Sequence, residues 1–170
     1  MKPIIIAIVG DSGSGKTYMA EFLRNQLNVP TIVSYTTRPK RTEETDGVEH
    51  YFINASQVPD KKDMLAYTRF GGYEYFALHK QIPNKGVCSY VIDEKGLETL
   101  CNNHCERYDI VSVLIICSQD ALSLRGIDSN RLKRDKGRKH LGEKFFDCII
   151  RNDASKEKFE YKIFCEFNRL

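Results

Sequence analysis

What this chain can fold into is constrained most tightly within its first seventeen residues. The apolar run Ile4-Ile5-Ile6-Ala7-Ile8-Val9 leads directly into Gly10-Asp11-Ser12-Gly13-Ser14-Gly15-Lys16-Thr17. The second segment fits G-x-x-x-x-G-K-[ST] at every position, and Thr17 to Leu27 continues as a helical pattern with Met19, Phe22, Leu23 and Leu27 on one face. A strand, a glycine-rich turn and a helix in that order make a phosphate-binding loop. The glycines let backbone N–H groups curl inward as a nest for phosphate oxygens, and the helix N-terminus adds its dipole at the same place. Lys16 brings a point charge to the β- and γ-phosphates of a nucleotide, and the Thr17 hydroxyl is suited to hold Mg²⁺.

The rest of the chain repeats the strand–helix alternation. Thr31–Val33, Val87–Ile92, Ile110–Cys117 and Asp147–Ile150 read as strands, with helices over Glu94–Arg107 and Ala154–Asn168. Tyr51–Ile53 and Tyr73–Leu78 read as short strands of a small, partly antiparallel insert. The expected fold is α/β, a doubly wound parallel sheet of the P-loop NTPase type with a small acceptor insert and a short lid. The expected single domain of 170 residues divides into a core (1–33, 83–124 and 143–170), an insert (34–82) and a lid (125–142).

A 41% apolar and 29% charged composition suits a globular protein, and no apolar run approaches the ~20 residues of a membrane helix. No export signal is evident, so the expected location is cytoplasmic, with no membrane partner. The six cysteines lack a paired framework and read as reduced thiols. Cys101, His104 and Cys105 share a helical face, but no second ligand pair completes a zinc site, and helix packing is the simpler reading. A net charge of +3 does not indicate a nucleic-acid binder. Basic residues do crowd one segment, including Arg125, Arg131, Arg134 and Lys144, which reads as a solvated face, an anion-binding lid or a nucleic-acid patch.

A second informative stretch is Ser34-Tyr35-Thr36-Thr37-Arg38-Pro39-Lys40-Arg41, followed by Gly47-Val48-Glu49-His50-Tyr51-Phe52. Arg38 and Arg41, on a chain stiffened by Pro39, have the spacing to converge on one phosphate dianion, to which Tyr51 could add a hydroxyl donor. On spacing alone, a polar loop with two solvated arginines accounts for the segment equally well.

Taken together, these segments resemble the guanylate kinase family, whose motifs are G-x-S-G-[SA]-G-K-[ST], S-x-T-T-R-x-x-R and G-x-x-Y-x-F in this order. Val91-Ile92-Asp93-Glu94-Lys95-Gly96 resembles that family's I-D-x-x-G, and Phe146-Asp147-Cys148-Ile149-Ile150-Arg151-Asn152-Asp153 its F-D-x-x-I-x-N-D. The resemblance implies an ATP-dependent nucleoside monophosphate kinase with Mg²⁺, acting on GMP, dGMP or a related nucleotide. It implies that Gly10, Asp11, Ser12, Gly13, Ser14, Gly15, Lys16 and Thr17 bind ATP, with Asn152 near the adenine. Arg38, Arg41, Tyr51 and Tyr75 would hold the acceptor phosphate, Ser34 the base, and Asp93 would lie near acceptor and metal, sharing the metal with Thr17. Lys16, Arg38 and the lid arginines Arg125, Arg131 and Arg134 would stabilise the transferring group.

Two departures keep alternatives open. Where the family carries a guanine-reading glutamate, then glycine and Ser/Thr after a tyrosine, alignment on Tyr75 puts Ala66, Phe76 and Ala77. A kinase for a different (deoxy)nucleoside monophosphate is therefore the first alternative. A non-catalytic guanylate-kinase-like binding module is the second, set against an intact loop and lysine. The segment between Ser118 and Phe146 is short for a lid. A homodimer is compatible with the sequence, and nothing in the sequence specifies it.

Overall fold

The computed structural model describes residues 1–126 and 140–169. Arg131 and Arg134 therefore lie outside the described residues. Nine strands are described: β1 (Ile4–Gly10), β2 (Thr31–Ile32), β3 (Tyr35–Thr36), β4 (Tyr51–Phe52), β5 (Met64–Phe70), β6 (Tyr73–Leu78), β7 (Val87–Val91), β8 (Asp109–Ile116) and β9 (Cys148–Arg151). The helices are α1 (Lys16–Leu27), α2 (Glu94–His104), α3 (Gln119–Leu124) and α4 (Lys156–Phe167).

The main sheet has five parallel strands in the order β2-β7-β1-β8-β9. Side chains of β1 alternate between two cores. Ile5, Ala7 and Val9 pack in the cluster containing Leu97 and Leu100 of α2. Ile6 and Ile8 pack in the one containing Met19 and Leu23 of α1 with Phe159 and Ile163 of α4. Burial on both faces explains why β1 is apolar at every position instead of alternating. This is a doubly wound sheet, and its carboxyl-end crevice is where such folds bind ligands.

The second sheet, in the order β4-β3-β6-β5, mixes one parallel and two antiparallel pairings. Its long hairpin turns on Gly71 and Gly72, with φ of +59° and +84°, the left-handed pair that a two-residue type I′ turn requires. Leu65, Ala66 and Ala77 enter the same cluster as Leu97 and Leu100, so this sheet is anchored on α2. That attachment leaves a cleft between β5 and β6 and the ends of β1 and β7.

Three elements were not expected from sequence. β3 is two residues long, α3 six, and β5 is irregular, with a register shift between Met64 and Ala66. The shift lets Met64, Leu65 and Ala66 all be buried, which erases the alternation that identifies a half-buried strand. Cys101 packs against the main core, and the His104 ring meets those of His79 and Tyr108. Among the described residues no helix is long and apolar enough to cross a membrane.

Candidate active site

The loop between β1 and α1 is curled by its glycines. Gly10, Gly13 and Gly15 have φ of +153°, +79° and +109°. A Cβ on Gly15 would lie 2.7 Å from Asn152 Nδ2, and one on Gly10 would lie 2.5 Å from the Ile115 carbonyl oxygen, so neither position accepts a side chain. The Lys16 ammonium donates to the Gly10 and Asp11 carbonyls at 2.8 and 2.7 Å, tying its charge to the loop's mouth. Thr17, one residue into α1, is exposed.

Asn152 and Arg125 both hydrogen-bond to the phosphate loop. Asn152 is buried, and its Nδ2 donates to the Ser14 carbonyl at 2.7 Å, bracing the loop from beneath. Arg125, just past α3, donates from Nη1 to Gly13 O (3.0 Å) and from Nη2 to Asn152 O (2.7 Å). Neither lines the cleft. These bonds make both side chains supports of the loop, Asn152 through its Nδ2 and Arg125 by spanning the Gly13 and Asn152 carbonyls.

Across the cleft, the β3–β4 connection folds Arg38 and Arg41 around Glu44. Arg38 forms a fork to the Glu44 carboxylate, with Nη1–Oε2 at 2.9 Å and Nη2–Oε1 at 2.7 Å. The Arg41 backbone N–H donates to Oε2 at 2.8 Å, and Arg41 Nη1 lies 3.7 Å from Oε1. The Arg38 hydrogen bonds hold the Glu44 carboxyl down to about 2, helped by the backbone N–H of Arg41. Glu44 thus occupies the space between the two guanidiniums, which together seat one carboxylate. Sequence reading missed it, although an acid three residues past Arg41 is the natural counter-ion for such a pair.

His50, and not the expected Tyr51, lines the cleft. Counting from Gly47, the tyrosine of G-x-x-Y-x-F falls at position 50, which is His50 here. Adjacent residues of an extended strand point to opposite sides. His50 and Phe52 face the cleft side, where the Phe52 ring lies 5.5 Å from the Arg38 guanidinium carbon and the His50 ring meets that of Tyr75 edge-on at 5.8 Å. Tyr51 faces away, 37% exposed and stacked on Tyr35 at 4.9 Å. Tyr51 is therefore not positioned to touch a ligand in the cleft. His50 Nδ1 is 2.7 Å from Ser34 Oγ, and burial followed by the nearby Arg38 charge pushes its pKa below the usual histidine value.

These groups share one cleft of about 540 Å³. Gly10, Asp11, Ser12 and Lys16 line its loop end, and Ser34, Arg38, Arg41, His50 and Tyr75 its far end. Asp93 also lines it while capping α2, its Oδ1 accepting from Gly96 N at 2.7 Å and from the Thr68 hydroxyl at 3.2 Å. Ala66 lies in the wall and pairs across the hairpin with the fully buried Ala77. Glu94 and His140 meet at the rim at 3.2 Å.

The family model described as guanylate kinase matches residues 1–161. A guanylate kinase of Thermotoga maritima is 38% identical over 82 residues, covering 46% of this chain and 40% of the relative. The chain thus spans well under two thirds of that relative's length. A guanylate kinase of Aromatoleum aromaticum is 30% identical over 172 residues, covering 90% of this chain and 82% of the relative. Among solved structures, guanylate kinase from Anaplasma phagocytophilum superposes with a TM-score of 0.71 at 19% identity, covering 99% of this chain and 86% of that one, a likeness of fold. With the family model matching nearly end to end and the phosphate loop and paired arginines in place, this chain belongs to the guanylate kinase family.

Proposed function

We propose that the protein is an ATP-dependent nucleoside monophosphate kinase, with GMP or dGMP, or a related nucleotide, as acceptor. The observation that carries this is the single cleft lined at one end by the phosphate loop and at the other by the Arg38–Arg41 pair. A donor triphosphate on one side and an acceptor phosphate on the other would face each other in line. An acceptor oxygen then attacks the γ-phosphorus, the bond to the bridging oxygen breaks, and ADP leaves. Such a reaction needs positioning and positive charge more than covalent chemistry.

In this reading Lys16 and the loop amides hold the donor, while Arg38 and Arg41 exchange Glu44 for the acceptor phosphate. Tyr75 stands beside Arg38 as a further donor. Residues 34–82 act as the acceptor insert and 125–142 as the lid, with Arg131 and Arg134 as its arginines, closing over the site to exclude water. Magnesium usually takes one or two protein ligands and completes its shell with phosphate and water. The exposed Thr17 hydroxyl and the Asp93 carboxylate in the cleft fit that habit. The ion would supply charge neutralisation on the donor phosphates.

The acceptor base is the open part of this reading. Ala66 cannot accept from a base N–H, and an unpaired edge in a dry pocket costs about 1–3 kcal/mol per lost partner. A second reading, a different (deoxy)nucleoside monophosphate, rests on Ala66 and Ala77. A panel of purine and pyrimidine monophosphates assayed with ATP tests both. GMP or dGMP as preferred acceptor supports the first, another nucleotide the second, and transfer to none ends the kinase assignment.

A further inference from the structure

Two buried hydroxyls in the cleft wall belong neither to the phosphate loop nor to the arginine clamp. Tyr90 of β7 is 4% exposed, packs in the cluster that holds Ala66, Ala77 and Leu97, and lines the cleft. Its hydroxyl has no hydrogen-bond partner among the described residues. It is not sealed in the core either, since the buried side-chain atom without a partner among them is Ser14 Oγ. The Tyr90 hydroxyl therefore opens on the cleft. Thr68 shares a face of β5 with Ala66, is buried, and also lines the cleft. It commits its proton to Asp93 Oδ1 at 3.2 Å, which leaves only lone pairs for a ligand. Asp93 touches Thr68 and its charge acts on Tyr90, so the two hydroxyls sit at one end of the cleft. We propose that Tyr90 and Thr68 read the acceptor's base, selecting a lactam edge (a carbonyl beside a ring N–H) and leaving a 2-amino group unread. The inference rests on the acceptor end assigned above and names the base left open there.

What each hydroxyl already does sets the hydrogen-bonding sense of the pair. Burial, and then the Asp93 charge, push the Tyr90 phenol above its ordinary pKa, so it keeps its proton at neutral pH. With no other acceptor, that proton goes to the ligand, because a donor left unpaired out of water is costly. Tyr90 thus donates and Thr68 accepts. Guanine, hypoxanthine, uracil and thymine present the matching order, a carbonyl oxygen next to a ring N–H. Adenine and cytosine present the reverse, an amino group beside an unprotonated nitrogen, and set donor against donor and acceptor against acceptor. Ala66 in the wall offers nothing to the 2-amino group of guanine, and Ala77 is fully buried. Hypoxanthine therefore loses nothing against guanine, and the mismatched edges are rejected through unpaired polar groups.

The test assays the full chain with ATP and IMP, GMP, AMP, UMP, dTMP or CMP, and measures binding of the same monophosphates by calorimetry without ATP. IMP should be used within about threefold of GMP or better, and the lactam nucleotide should lead its amino counterpart of the same ring size by about tenfold or more in kcat/KM. The IMP–AMP and UMP–CMP pairs show whether the cleft takes that edge on a purine, a pyrimidine or both. Tyr90→Phe keeps the ring in the core. It should lower kcat/KM for lactam nucleotides about tenfold while leaving AMP, CMP, ATP KM and the melting temperature nearly unchanged, and Thr68→Val should narrow the same preference. A purely structural Tyr90 would cost all acceptors alike. GMP favoured over IMP by more than about threefold, AMP or CMP as the preferred acceptor, or a preference unaltered in Tyr90→Phe overturns the proposal. Transfer with that unaltered preference leaves the kinase assignment standing. Should no nucleotide accept phosphate while calorimetry still shows a lactam preference that Tyr90→Phe removes, the kinase assignment fails and the base reading stands.

Discussion

The phosphate loop and the Arg38–Arg41 clamp face each other across one cleft, and in the proposed reaction both hold phosphate, yet by opposite means. The loop is eight consecutive residues whose backbone does the binding, curled by Gly10, Gly13 and Gly15 and braced from beneath by Asn152 and Arg125. The clamp is a set of side chains from separate segments: Ser34, Arg38, Arg41, Glu44, His50 and Tyr75. A backbone nest is specified locally, because a glycine's φ and a helix N-terminus need no distant partner. A side-chain clamp exists only when strands from different parts of the chain have paired. The first tolerates little substitution at Gly10 and Gly15, where a Cβ would collide with neighbouring atoms. The second is where a family can change its acceptor by changing side chains.

That contrast is sharpest where it can be broken. Lys16→Ala should remove the loop's charge and lower phosphoryl transfer by about a thousandfold or more in a coupled assay, with little change in melting temperature. A variant retaining a tenth of wild-type activity would count against the donor assignment. Arg38→Ala comes next. It should lower kcat/KM for the acceptor by roughly a hundredfold while leaving ATP KM within a few-fold, because it removes one fork of a charged pair and leaves the loop alone. Equal damage to both substrates would mean that the two ends are not separable.

Glu44→Gln tests the tethered anion. Acceptor phosphate and the Glu44 carboxylate compete for Arg38, so the variant should tighten acceptor KM a few-fold, and an unchanged KM would show that no exchange occurs. Its stability effect has a definite sign. The folded carboxyl titrates at about 2 against an ordinary value of 4.5, so the pair's contribution is fully present above about pH 4.5 and lost as pH falls toward 2. Wild type and variant should therefore converge in urea stability on acidification through that window. Tyr51→Phe should matter least. With the ring stacked on Tyr35 away from the cleft, kcat/KM should stay within about twofold. A loss of tenfold would restore Tyr51 to the site and displace His50.

Much of the fold was legible because its signals are short-range. The β1–loop–α1 unit, the apolar strand β8 and the helices α2 and α4 each announce themselves by run, period or cap, as with Asp93 before α2 and Ser155 before α4. β5 did not, because its bulge buries three residues in succession. Its turn was nonetheless written in Gly71-Gly72. Likeness marked Asn152 as a residue near the adenine and Arg125 as a lid arginine. Their hydrogen bonds to Ser14 and Gly13 span 138 and 112 residues, a separation that no local pattern encodes.

By itself the sequence determined that a phosphate-binding loop follows a buried strand, and that two arginines stand near a proline in the next segment. Composition and spacing suffice there because the chemistry is carried by neighbours along the chain. Only the tertiary structure decided that loop and arginines share one cleft, that Glu44 lies between the guanidiniums, and that His50 faces the cleft in place of Tyr51. Each of those depends on strand register and on which face of β4 turns inward, and a one-residue slip would reverse every side chain of such a strand.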